Sequence, residues 1–150
     1  MAAAVLSVPV TAQAPDSWLG TWKLNVATST WEPANLAPKS QMVKQEAIAG
    51  GGMKSVADGV DAQGKTIHTE TTTMFDGKPA EVKGAADAKT TRVYKRIDNR
   101  TYEFVTLVDG KMTTTTRSVG SADGKTRTVT ATGKNAQGAT VNNLVVYEKS

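Results

Sequence analysis

Six short turn signals cut the chain beyond Trp18 into runs too brief for ordinary helices and well sized for strands. They are Gln63-Gly64-Lys65, Asp76-Gly77-Lys78, Asp98-Asn99-Arg100, Asp109-Gly110-Lys111, Asp123-Gly124-Lys125 and Gln137-Gly138-Ala139. Asp-Gly supplies the positive-φ positions that tight hairpin turns demand, at little steric cost. The runs between are loaded with threonine, 22 of 150 residues. Its β-branched side chain is stiff at χ1 and favours a pleated strand over a helix. The spacing predicts ten strands, at about 19–26, 40–48, 53–60, 65–75, 79–83, 90–97, 101–108, 111–119, 126–134 and 140–148. No apolar stripe of helical period is visible. The one long gap, 27–39, holds Pro33 and Pro38 and suits a short helical turn or a lid.

Ten sequential antiparallel strands laid flat would expose two edges, and closure into an up-and-down β-barrel removes them. The expected class is therefore all-β, an antiparallel barrel with little or no helix, as one domain over 15–150. Alternation marks one face as core: Trp22, Leu24 and Val26; Tyr102, Phe104, Thr106 and Val108; Val141, Asn143, Val145 and Tyr147. The threonine-heavy stretches 69–73 and 113–116 carry little apolar content on either face. A barrel built from them should be roomy and polar inside, the plainer alternative being a flattened barrel with a modest core.

Composition removes several function classes. With no cysteine there is no disulfide scaffold, thiolate zinc site or cysteine nucleophile, and the lone His68 excludes a multi-histidine metal centre. The net charge of +4 is spread one or two residues at a time, the densest group being Arg92, Lys95, Arg96 and Arg100. No basic stripe of the kind that phosphate backbones need emerges, so a nucleic-acid partner is not expected. Asp76, Asp98, Asp109 and Asp123 are explained by turn hydrogen bonding, not by a calcium loop. No phosphate-cradling glycine motif occurs, and no cofactor or metal is expected. Residues 1–14 carry no charge and end in Ala12-Gln13-Ala14, a small-x-small cleavage pattern after an apolar stretch. This signal-peptide-like segment predicts a secreted or periplasmic protein starting near Pro15, with an Ala-rich arm as the alternative. No segment approaches the ~20 apolar residues of a spanning helix.

At the first strand, Trp18-Leu19-Gly20-Thr21-Trp22-Lys23-Leu24 resembles the opening Gly-x-Trp signature of the calycins, the lipocalins and fatty-acid-binding proteins. Val145-Val146-Tyr147-Glu148-Lys149 is similar to the last strand of the fatty-acid-binding proteins. The whole chain also looks like small exported bacterial proteins of lipocalin-like type. The resemblance implies Trp22 plugging the closed end of a barrel, and ligand binding more than catalysis. In the fatty-acid-binding proteins an inward Arg two residues before the Tyr grips a ligand carboxylate. Val145 stands at that position here, and the helical lid of that family has no counterpart in 27–39.

The expected function is binding of a small apolar or amphipathic molecule. Its body would lie against Tyr102, Phe104 and Val145, its polar end oriented by Tyr147 and Asn143, with Arg117 adding charge if it faces inward. Two other readings stay open. One is a surface or self-assembling protein whose threonine-rich strands pair between chains. The other is an enzyme using His68 and Glu70, which share one face of strand four, as base and orienter. Ile67 and Phe75 mark the opposite face as the better core candidate, which would leave His68 and Glu70 on the outside.

Overall fold

A computed structural model describes residues 15–86 and 89–150. Ten strands follow the turn signals: β1 (Gly20–Thr30), β2 (Ser40–Ile48), β3 (Gly52–Val60), β4 (Thr66–Thr73), β5 (Ala80–Glu81), β6 (Thr90–Arg96), β7 (Thr101–Val108), β8 (Lys111–Gly120), β9 (Thr126–Lys134) and β10 (Thr140–Lys149). Each pairs antiparallel with its chain neighbour, apart from β4 with β5, and β1 pairs with β10. The sheet order β4-β3-β2-β1-β10-β9-β8-β7-β6-β5 brings its two end strands together. There the Glu70 and Lys83 backbones exchange hydrogen bonds of 3.0 and 2.9 Å, nearly closing the barrel. The 27–39 gap is filled by the end of β1 and a single 3-10 turn, Ala34–Leu36. No helix among the described residues is long and apolar enough to cross a membrane.

Gly20 opens β1 at φ 123°, where a Cβ would lie 3.1 Å from the Lys149 side chain of β10. Two residues on, Trp22 is wholly buried and its Nε1 donates to the Trp18 carbonyl at 2.8 Å. Buried apolar side chains gather in two clusters. Trp18, Met53, Ala80, Tyr94 and Tyr102 form one, with Phe75 and Phe104 against it. Trp22, Leu24, Val43, Val145 and Tyr147 form the other, with Trp31, Ala57 and Val129.

Two bulges re-aim side chains: the first corrects a parity read from alternation, and the second decides one that alternation left open. Asn25 faces Val146 and Thr30 faces Leu144, so β1 spends five residues against two of β10. Val26 falls in that excursion and is 45% exposed instead of continuing the core face of Trp22 and Leu24. The excursion ends by turning Trp31 inward. The second bulge lies in the β7–β8 hairpin, where Val105 faces Thr115 but Leu107 faces Met112. The extra β8 residue puts both Thr113 and Thr114 on the barrel interior. On the neighbouring strand, Gly133 at φ 135° admits this bulge, since a Cβ there would meet the Thr113 carbonyl oxygen at 2.3 Å.

Candidate functional site

The barrel encloses a cavity of about 450 Å³, within the range of small-molecule sites. Alternation positions its wall. From the Trp22 end upward, β10 presents Tyr147, Val145, Asn143 and Val141, and β7 presents Tyr102, Phe104, Thr106 and Val108. Five of the six residues expected at the site, Tyr147, Asn143, Tyr102, Phe104 and Val145, thus line one cavity.

Arg117, the sixth, does not. Its side chain is on the outer face, where Nη1 bonds Glu103 Oε1 at 2.8 Å. The register at the Asp109-Gly110 turn, carried straight along the hairpin, would set Arg117 opposite inward-facing Tyr102. The β8 bulge shifts it one place, opposite Glu103, and a one-residue shift reverses every side chain beyond it. The interior charge comes from elsewhere.

Arg127 on β9 is 3% exposed, with its guanidinium carbon 5.1 Å from the Trp22 ring and 5.3 Å from that of Tyr147. Its Nη1 donates to Gln45 Oε1, and Gln45 Nε2 donates to Tyr102 Oη at 3.0 Å and Ser55 Oγ at 3.3 Å. Arg92 on β6 also lines the cavity, 4.6 Å over the Phe104 ring. The Nε atoms of both arginines are buried with no acceptor among the described residues. No Asp or Glu among those residues lines the cavity. The interior therefore concentrates positive charge in a space of low polarisability, where it acts strongly on anything admitted.

Tyr147 enters as a neutral donor. Burial pushes the Tyr147 hydroxyl up to about 12, against the pull of Arg127, and it donates to Gln41 Oε1 at 2.5 Å. Burial likewise raises Tyr94. Asn143 is already engaged: its Oδ1 accepts the Glu32 backbone N–H at 3.1 Å and ties the end of β1 to β10.

His68 and Glu70 are outside the barrel. His68 Nδ1 is bonded to Asp58, and Nε2 approaches Glu70 Oε1 at 3.3 Å on the exposed face of β3 and β4. The two carboxylates, Asp58 foremost, raise the imidazole above its ordinary value. Among the described residues none of the three lines the cavity.

Arg127 was open to detection, since it alternates with Val129 and Ala131 in a strand whose other face is Thr126, Thr128, Thr130 and Thr132. Gln45 alternates with Val43 in the same way. Arg92 carried no comparable signal, with threonine on one side and Val93 on the other.

A ten-stranded antiparallel meander, nearly closed into a barrel around a cavity, is the architecture that the Gly-x-Trp resemblance led us to expect. Among solved structures the chain is similar to the fluorescent protein UnaG, with a TM-score of 0.61 and 14% identity over 89% of this chain and 97% of that one. At that identity the likeness is one of fold. No family model and no curated protein sequence matches the chain.

Proposed function

We propose that this barrel holds a small amphipathic molecule in its interior, with an anionic head group against Arg127 and Arg92. The carrying observation is two guanidinium groups on a cavity wall that bears no carboxylate among the described residues. Taking an ion out of water costs several kcal/mol unless a counter-charge is met, and a bound anion provides one. Tyr102, Phe104 and Val145 give the rest of the ligand an apolar wall. The position that resembles the fatty-acid-binding clamp holds Val145, so the charge is supplied from β6 and β9 instead.

Titration calorimetry with decanoate and its methyl ester tests this. A charge-assisted contact is worth about 1.5–3 kcal/mol, so decanoate should bind roughly ten- to a hundredfold more tightly. Arg127→Met with Arg92→Met should erase the difference. Equal affinity of acid and ester, or no binding of either, overturns the reading.

The proposal includes export. Ala12-Gln13-Ala14 supports cleavage after Ala14, which lies outside the described residues. The mass of the protein recovered from its native envelope or medium decides it, an intact Met1 terminus in cytoplasm being the contrary result. Self-assembly through strand edges is the weaker reading: β5 is two residues long, and a short edge strand is a poor template for a second chain.

A further inference from the structure

Trp31 lines the same cavity as Arg127 from the end of the β1 excursion, and its indole N–H has no use in the anion site. The side chain lines the cavity and packs against the cluster of Trp22, Leu24, Val43, Val145 and Tyr147. Its Nε1 is buried, with no hydrogen-bond acceptor among the described residues. By contrast, the buried Trp22 Nε1 is satisfied by a backbone carbonyl. Buried tryptophan N–H groups nearly always find an acceptor, and leaving one unmet costs about as much as desolvating it.

The position of Trp31 is fixed rather than incidental. The β1 excursion that delivers it is fastened to β10 at three points. Val146 N–H donates to Ser29 Oγ at 2.9 Å, Asn142 N–H to the Glu32 carbonyl at 3.3 Å, and Glu32 N–H to Asn143 Oδ1 at 3.1 Å. Ser29 Oγ in turn donates to the Asn25 carbonyl at 2.7 Å, closing the base of the excursion. An aromatic ring held in this way keeps its polar edge in one place, which is the condition for using it in recognition.

Register gives the offset of the two backbone positions that carry these groups. Arg127 is opposite Tyr147, and the end of the excursion is bonded at Asn143, four residues along β10. At about 3.3 Å per residue their backbones are about 13 Å apart along the strand. Between them the wall contributed by Val145, Val129 and Phe104 is apolar.

We propose that the ligand carries two polar ends: the anionic head at Arg127 and Arg92, and a neutral hydrogen-bond acceptor, a hydroxyl or carbonyl oxygen, that takes the Trp31 N–H. The inference rests on the interior-binding reading above and narrows its ligand class from simple fatty anions to distally oxygenated ones. Trp31 is thereby a specificity-determining residue, adding little for a ligand whose far end is a methyl group.

The experiment compares octanoate, decanoate and dodecanoate with their ω-hydroxy counterparts, by calorimetry on the full chain and by proton–nitrogen NMR of its three indole N–H groups. In wild type the best-fitting ω-hydroxy acid should bind about three- to tenfold more tightly than its parent, as one neutral hydrogen bond allows. Trp31→Phe keeps the ring and removes the donor. It should abolish or reverse that preference, read as the ratio of the two affinities within the variant. The indole signal missing from Trp31→Phe should move downfield in wild type with the ω-hydroxy acid and not with the parent. If the parent acids bind but the ω-oxygen gives neither gain nor indole shift at any length, the distal site is wrong and the anion site stands. If no acid binds, both fall together. Should Trp31→Phe fail to fold, the wild-type affinities and indole shift decide alone.

Discussion

Arg127 and Tyr147 face each other across the β9–β10 ladder, and the guanidinium carbon is 5.3 Å from the phenol ring. The pair joins the two demands on this interior. Tyr147 belongs to the apolar cluster that closes the barrel around Trp22, while Arg127 brings a charge to the same level. Ring faces on two sides lower the cost of holding the cation there without removing it. What remains is available to an anion.

Trp22 is the keystone of that closed end. Its ring is fully buried, its N–H is satisfied by Trp18, and Arg127 and Lys149 approach it at 5.1 and 5.6 Å. Trp22→Ala should cost on the order of 3–5 kcal/mol, read as a lowered urea midpoint. A loss below about 1 kcal/mol would show that the ring is not a core element.

Tyr147 makes the fold sensitive to alkali. Its pKa rises from 10.0 to about 12 on burial, so the folded state keeps the proton that the unfolded chain gives up. A group raised in this way contributes stability that is full below pH 10 and is lost as pH climbs through 12. Unfolding curves taken across that window should show stability falling, with a smaller fall in Tyr147→Phe. An unchanged pH dependence in that variant would place the cause elsewhere.

How much of this was readable beforehand depends on what sets each feature. Strand order and limits are legible because they are local: Asp109 and Gly110 both take positive φ, as the turn chemistry requires, and β2, β7 and β9 begin and end where turn spacing puts them. The inward faces of β7 and β10 are legible because aromatic or aliphatic residues alternate with polar ones. On β8 that signal is missing. Thr113, Thr114, Thr115 and Thr116 give either parity the same polarity, so a single bulge decides whether Arg117 is inside or out. The inward turn of Trp31 depends on a long excursion and on hydrogen bonds to a strand more than a hundred residues away, such as Val146 N–H to Ser29 Oγ. Neither leaves a local pattern.

On the outer face, His68 should titrate above its ordinary value of 6.5, because Asp58 and then Glu70 stabilise the imidazolium. Proton NMR of the single histidine measures this directly. Asp58→Asn should bring the value down further than Glu70→Gln. The small stabilisation carried by the cluster is full below pH 6.5 and disappears as pH rises past the folded value. An unshifted histidine in wild type would mean the two carboxylates do not hold the ring in solution.

Arg127→Met separates what serves binding from what serves folding. A structural arginine, once removed, leaves partners unpaired and costs about 3–5 kcal/mol. Among the described residues Arg127 makes one side-chain hydrogen bond, to Gln45 Oε1, and its buried Nε finds no acceptor there. Gln45 still holds Tyr102 and Ser55 through its Nε2 when Arg127 is gone. Methionine fills much of the same volume and removes a desolvated charge, a change that is often neutral or stabilising. The loss at Gln45 Oε1 opposes it by about 1–3 kcal/mol. The ligand-free variant should therefore stay within about 2 kcal/mol of wild type in urea unfolding, while decanoate affinity falls about ten- to a hundredfold. Ligand should also protect less: wild type gains about 2.7 kcal/mol at a hundred times its Kd, and the variant should gain about 0.4–1.4 kcal/mol at the same concentration. A variant that unfolds readily but binds decanoate normally when folded would assign Arg127 to the barrel's architecture and remove it from the site.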